Sequence, residues 1–215
     1  MIKEHRKTLI LTCLITLIPM FIGLYFWSSL PDRMATHFGI NSQADGYSSK
    51  AFAVFGLPLL MIGLQIVMLI GTSMDPKKKN ISSKMIGLIL WIVPIVSLVC
   101  AAVMYPYNLG YRMNISFFMM LFLGALFTVV GNFLPKTRQN YTVGIKLPWT
   151  LESEDNWNRT HRLAGFLWVA AGLLTIILTL LEFTNIWVCL GMIIAASVIP
   201  VIYSYATRNK NEQPD

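Results

Sequence analysis

Residues 85–105 read Met-Ile-Gly-Leu-Ile-Leu-Trp-Ile-Val-Pro-Ile-Val-Ser-Leu-Val-Cys-Ala-Ala-Val-Met-Tyr, 21 positions without a charged side chain. A helix rises about 1.5 Å per residue, so roughly 20 residues cross a hydrocarbon core of about 30 Å. Five further stretches share this character: Thr8–Leu30, Ala51–Thr72, Ile115–Leu134, Leu163–Leu181 and Ile186–Tyr205. The 17 basic and 10 acidic residues all fall between or outside the six. One Asp, Lys or Arg at a helix centre costs about 2.5–3.5 kcal/mol on the insertion scale, and the chain avoids that cost throughout. The pattern predicts an all-α, polytopic membrane protein with six transmembrane helices, whose chemistry sits largely in the connections.

Composition agrees. Hydrophobic residues make up 55% of the 215 and charged residues 13%, with a mean hydropathy of +0.61. A soluble domain has about a quarter of its residues charged, and a soluble helical core would need polar helix faces that these stretches lack. Membrane lipids are therefore expected around the chain.

The formal charge of +7 follows the ends of the spans rather than gathering on an aqueous domain, which argues against direct nucleic-acid binding. Lys3, Arg6, Lys7, Lys77, Lys78, Lys79, Lys84, Lys136, Arg138, Lys146, Arg159, Arg162, Arg208 and Lys210 lie on one side; Arg33, Lys50 and Arg112 lie on the other. Basic residues concentrate on the cytoplasmic side of membrane proteins, so both termini are expected in the cytoplasm (N-in/C-in). The first apolar run is too long for a signal-peptide core and no small-x-small cleavage pattern follows it, so it reads as an uncleaved span. Cys13, Cys100 and Cys189 lie inside spans without metal-site or disulfide spacing and read as small apolar residues.

The organisation expected is a two-span unit, residues 1–84, with an outer loop at 31–50, followed by a four-span unit, residues 85–215, with a cytoplasmic segment at 135–162. Prolines 19, 58, 94 and 200 lie within spans, where neighbouring helices tolerate kinks. No Asp, Glu, Lys, Arg or His lies inside a span; Gln65 and Asn132 are the amides there. Ion- or proton-coupled transport normally needs ionisable groups along the pathway, which disfavours that class. A facilitator for an uncharged or hydrophobic molecule stays open.

In the outer loop Pro31 ends the first helix, and Asn41, Ser42, Asp45 and Gly46 are turn formers. His37, Asp45 and Lys50 are polar groups able to converge on a ligand. Two candidate ligands, His37 and Asp45, fall short of the three or four that a metal site takes, so no metal and no cofactor are expected. A compact cap whose polar groups bond its own backbone is the competing reading.

The inner segment runs Gly-Asn-Phe-Leu-Pro-Lys-Thr-Arg-Gln-Asn-Tyr-Thr-Val-Gly-Ile-Lys-Leu-Pro-Trp-Thr over residues 131–150 and continues to Gly165. Pro135 stops the fourth helix, and Gly144 and Pro148 punctuate an extended stretch. Thr150 or Ser153 can cap the next helix, with Glu152, Glu154 and Asp155 near its positive end. That helix is expected to begin in the cytoplasm and run into the fifth span, with Trp157, His161, Gly165 and Trp168 on one face. Trp149 and Trp157 equally suit a place at the membrane boundary. No HExxH or GxSxG motif and no evident nucleophile accompanies His161, so no catalytic residue is assigned.

Asn132, Pro135, Lys136, Asn140, Gly144, Lys146, Pro148, Trp149, Thr150, Trp157, Thr160, His161 and Gly165 together resemble the signature of the SdpI family of bacterial membrane proteins. Leu30-Pro31-Asp32, His37-Phe38, Asp45-Gly46 and Lys50 resemble the small domain of unknown function that often precedes it. The resemblance implies a multi-pass protein of the bacterial plasma membrane that confers immunity to a secreted toxin peptide, and signalling by holding a soluble transcriptional repressor at the membrane. With the single outer loop and the distinctive inner segment, it makes Pro31, His37, Asp45, Gly46 and Lys50 the candidates for toxin recognition and the inner residues the candidates for the regulator or another functional motif. A membrane sensor without protective role, and a membrane-embedded enzyme or carrier for a lipid or small molecule, are the alternatives.

Overall fold

The first span is two helices rather than one. In the computed structural model, which describes residues 3–183 and 185–208, α1 (Arg6–Thr16) gives way at Leu17 to α2 (Ile18–Tyr25). Pro19 has no N–H to continue the helical ladder, and it sits where a first turn tolerates it. The second span is α3 (Leu57–Met74), entered through a π-helical turn at Phe52–Gly56. The remaining spans are α4 (Ser83–Asn108), α5 (Ile115–Phe133), α7 (Glu154–Leu180) and α8 (Ile186–Ala206). The short helix α6 (Pro148–Glu152) precedes α7. Among the described residues, six helical stretches are thus long and apolar enough to cross a membrane. They fall on the six stretches read from the sequence. Lys210, counted among the basic flanks, lies outside the described residues.

The outer segment differs from a simple turn-rich cap. Arg33–Phe38 (β1) and Ala44–Ser49 (β2) form an antiparallel two-stranded sheet, with Arg33 opposite Ser49 and Phe38 opposite Ala44. Asp45 and Gly46 lie in β2 beside a register irregularity, not in the turn. The turn is Gly39–Gln43, where Ser42 takes a positive φ of 61° and the Gly39 N–H donates to the Gln43 carbonyl at 2.8 Å. The first span also ends earlier than expected, at Tyr25. Leu30 leaves the helix and is buried with Met34 in a core with Ala53, Val54, Ala101, Met104 and Tyr105.

The chain packs as two compact units, Met1–Ser73 with Ile86–Phe118, and Met74–Met85 with Met119–Asp215. This spatial grouping runs across the sequence boundary at 84/85. In the first unit, the Tyr105 hydroxyl donates to the Pro19 carbonyl at 2.7 Å. Gly23 permits that approach, since a Cβ there would lie 2.5 Å from the same hydroxyl. Gln65 is buried; its Nε2 donates to the Thr12 hydroxyl and to the Leu90 carbonyl at 3.2 Å, tying α1, α3 and α4. Interhelical hydrogen bonds of this kind contribute about 0.6–2 kcal/mol in lipid.

The second unit is built on close helix contact. A Cβ on Gly172 of α7 would lie 2.5 Å from the Gly124 carbonyl of α5, and one on Gly165 would lie 2.8 Å from the Gly131 carbonyl. Two glycines seven residues apart on each helix form an antiparallel seam, the arrangement by which helices approach in lipid, where packing replaces the hydrophobic drive.

Candidate functional site

The inner segment folds around two buried rings. Trp157 and His161 stack with centroids 4.0 Å apart and planes at 21°, one helical turn apart on α7. Both are essentially inaccessible. The Ile145 N–H donates to His161 Nε2 at 2.9 Å, and His161 Nδ1 lies 2.8 Å from the Trp157 carbonyl. An accepting Nε2 puts the ring proton on Nδ1, so the imidazole is neutral and both nitrogens are used on the main chain. The Trp157 indole N–H donates to the Thr137 carbonyl at 2.7 Å.

The loop that covers these rings is shaped by its own side chains. Gly144 has φ +120°, and a Cβ there would collide with His161 Nε2 and approach the Trp157 ring to 3.1 Å. Asn140 is fully buried; its Oδ1 accepts from the N–H groups of Thr142 and Val143, and its Nδ2 donates to the carbonyls of Arg138 and Val143. Thr150 closes the start of α6: its hydroxyl accepts from the Leu147 N–H at 2.9 Å and lies 2.9 Å from the carbonyls of Ile145 and Leu147. Pro148 occupies the first position of α6, where its missing N–H has no helical role.

Further contacts anchor α6 and α7. Trp149 Nε1 donates to the Ser204 hydroxyl of α8 at 2.9 Å, and its ring meets Tyr205 edge-on at 5.4 Å. Ser153 caps α7 by accepting from the Asn156 N–H at 3.2 Å. Asn156 in turn donates to the Ser204 carbonyl at 2.9 Å, and the Thr160 hydroxyl donates to Asn156 Oδ1 at 3.3 Å. Gly165 receives the Pro135 ring, whose carbons lie 2.5 Å from where a Cβ would stand. Lys136 and Lys146 stay exposed, donating to Asn132 Oδ1 at 3.3 Å and to the Thr142 carbonyl at 2.9 Å respectively. Trp157 is therefore an interior residue and not a membrane-boundary anchor.

The turn after α3 also belongs to this assembly, and the sequence reading missed it. The buried Asp75 carboxylate accepts from the Lys77 N–H at 2.7 Å, the Tyr141 N–H at 2.8 Å and the Thr142 hydroxyl. Asn80 Nδ2 donates to the Gln139 carbonyl at 2.7 Å, and Lys77 Nζ donates to Gln139 Oε1. Gln139 Nε2 passes the connection on to the carbonyls of Thr150 and Leu151, both at 2.9 Å. A signal was present: Asp75 is the one acidic residue in a lysine-rich turn.

The outer residues divide. His37 Nδ1 and Asp45 Oδ1 lie 2.5 Å apart, both exposed, near the turn end of the hairpin. Gly46 allows their strands to close, since a Cβ on it would lie 2.8 Å from that of His37. Lys50 is at the other end, donating to the Trp27 carbonyl at 3.2 Å, paired with Asp32 at 3.2 Å and lying over the Trp27 ring. The three polar groups do not converge, because the strands between them extend about 3.3 Å per residue. Pro31 is exposed just before β1. Among the described residues, no three His, Cys, Asp or Glu side chains gather as metal ligands do.

Residues 136–204 match the SdpI/YfhL protein family, and residues 14–62 match a domain of unknown function, DUF1648. The chain is 25% identical over 209 residues to "Immunity protein SdpI" of Bacillus subtilis (strain 168), an alignment covering 95% of this chain and 94% of that protein. No solved structure matches significantly. The buried Trp157–His161 pair, the Pro148–Thr150 helix start and the α7–α8 contacts all fall inside the matched region, and the hairpin falls inside the preceding one. The chain is a multi-pass membrane protein that resembles the SdpI/YfhL family over residues 136–204 and DUF1648 over residues 14–62 ahead of them.

Proposed function

We propose that this chain is an immunity protein of the bacterial plasma membrane, protecting the cell that carries it from a secreted antimicrobial peptide. The observation that carries this reading is the end-to-end similarity to a named immunity protein, across 95% of the chain. In this reading both termini are cytoplasmic, as the distribution of basic residues favours. The hairpin segment, residues 31–50, then meets the peptide from outside, and segment 135–162 faces the cytosol. Chemistry at His161 is disfavoured, because its two ring nitrogens are engaged with main-chain groups of Ile145 and Trp157.

The test is expression in a sensitive bacterium, challenged with the killing peptide purified from Bacillus subtilis. Survival above that of cells carrying an empty vector is the expected result. Unchanged killing, with the protein present in the membrane, rejects the reading.

A second role has its own support at the inner segment. Lys136, Lys146 and Pro148 are exposed around a rigid buried centre, which suits capture of a soluble transcriptional repressor by the rim while the interior holds its shape. A repressor that sediments with membranes from wild-type cells is expected to be released by Trp149→Ala. Sedimentation unaffected by loss of the chain would remove this role.

A further inference from the structure

One edge of the hairpin is held at Ala35, and among the described residues the other edge has no such contact. On β1, Ala35 donates its N–H to Asn108 Oδ1 at 2.8 Å, and its carbonyl accepts from Asn108 Nδ2 at 3.0 Å. Both main-chain groups of Ala35 therefore point away from β2, and the Asn108 amide stands in for a neighbouring peptide unit. Opposite residues in an antiparallel pair alternate between exchanging both hydrogen bonds and exchanging none. The Lys50 N–H donates to the Asp32 carbonyl at 2.9 Å, which sets the same alternation. Ala35 and Tyr47 are opposite each other, as are Arg33 and Ser49. Hence the N–H and carbonyl of Tyr47 and the N–H of Ser49 project from the outer edge of β2.

That edge is guarded on one side only. Sheet edges are blunted by Lys, Pro, charges, bulges or a covering element; Asp45 and the register irregularity lie on the turn side of Tyr47, and Tyr-Ser-Ser over residues 47–49 supplies neither charge nor Pro. Tyr47 is 54% exposed, and Ser49 is exposed as well. Main-chain donors and acceptors spaced by two residues, about 6.8 Å, are matched by one kind of partner, an extended peptide backbone. A sheet edge used in this way takes affinity from main-chain bonds and selectivity from alternate side chains.

We propose that the secreted peptide, in an extended stretch, adds as a third strand to β2, pairing with Tyr47 and Ser49. This deepens the immunity reading and rests on it. Recognition then depends on the backbone of Tyr47 more than on its ring.

Proline tests this directly. Tyr47→Pro removes an N–H that faces away from β1 and puts a ring in the path of an incoming strand, leaving the β1–β2 ladder intact. Cells carrying the full-length variant at wild-type membrane abundance are expected to need at least about tenfold less Bacillus subtilis killing peptide to die than wild-type carriers, the effect of losing one or two hydrogen bonds. Ser49→Pro makes the same test if Tyr47→Pro fails to reach the membrane. Tyr47→Val keeps the backbone groups and is expected to protect within about twofold of wild type. Full protection by the proline variants overturns the proposal while leaving immunity standing, and a valine loss as deep as the proline loss overturns it in favour of the phenol ring. Disulfide dimers of Ser49→Cys formed in membranes without peptide would assign the edge to a second copy, which also overturns it. A wild-type chain that gives no protection removes the immunity reading itself.

Discussion

Gly144 shows how one backbone angle holds the inner segment together. Its φ of +120° is a conformation that L side chains rarely adopt, and the position also faces His161 and Trp157 at contact distance. Gly144→Ala is expected to lower stability by about 2–4 kcal/mol, combining backbone strain with overpacking. A fall in the unfolding midpoint of the detergent-solubilised protein reads this out, and an unchanged midpoint would show that the loop does not press on the rings. His161→Leu is expected to cost about 1–3 kcal/mol in the same measurement, because it leaves the Ile145 N–H buried without an acceptor. Both residues were legible in the sequence as members of one motif. Their contact was not, since it depends on the loop folding back on α7 through Asn140 and Thr150, each of which bonds the main chain of its own segment. Local side-chain-to-backbone bonds leave no periodic trace in a sequence.

Elements were legible in proportion to how many residues vote for them. A span sums about 20 transfer energies, so a Pro or a Thr within it changes little. A six-residue strand such as Ala44–Ser49 sums few, and its Asp45-Gly46 pair favours a turn when read alone. The contact of Leu30 and Met34 with the core decides otherwise. The α5–α7 seam was also hidden, although its signal exists: Gly124 and Gly131 on one helix, Gly165 and Gly172 on the other, equally spaced. Gly172→Leu would drive a side chain into the Gly124 carbonyl and the Thr128 hydroxyl, each 2.5 Å from its Cβ. The helices must then part, and the yield of monodisperse protein in detergent is expected to collapse. Gly191→Leu on α8 is the control, because a Cβ there meets nothing within 4 Å. Equal loss from both would mean that leucine acts through the helix itself and not through the seam. On the loop side, Asp75→Ala leaves three donors without their acceptor. It is expected to cost about 2–4 kcal/mol, and the same unfolding midpoint measures it.

For the whole molecule the decisive quantity is orientation, because it assigns the hairpin and the inner segment their partners. The physical ground is the charge distribution: 14 of the 17 basic residues flank the spans on one side, and translocating them would oppose the bias that sets topology. In the proposed orientation Arg33, Lys50 and Arg112 are the three that cross, and Lys50 is tied to Asp32 and the Trp27 carbonyl at the base of the hairpin. Gln43 lies exposed in the hairpin turn and Glu152 lies exposed at the end of α6, so each accepts a cysteine with little effect on packing. The native cysteines all lie in spans, where a charged, membrane-impermeant maleimide reaches them poorly. In intact cells Gln43→Cys is expected to react with that reagent, while Glu152→Cys reacts only after the membrane is opened. The reverse pattern would turn the hairpin toward the cytosol, and with it both the immunity reading and third-strand recognition of an external peptide would fall. The six spans, the buried Trp157–His161 pair and the α5–α7 seam would stand unchanged, because none of them depends on which side of the bilayer is outside.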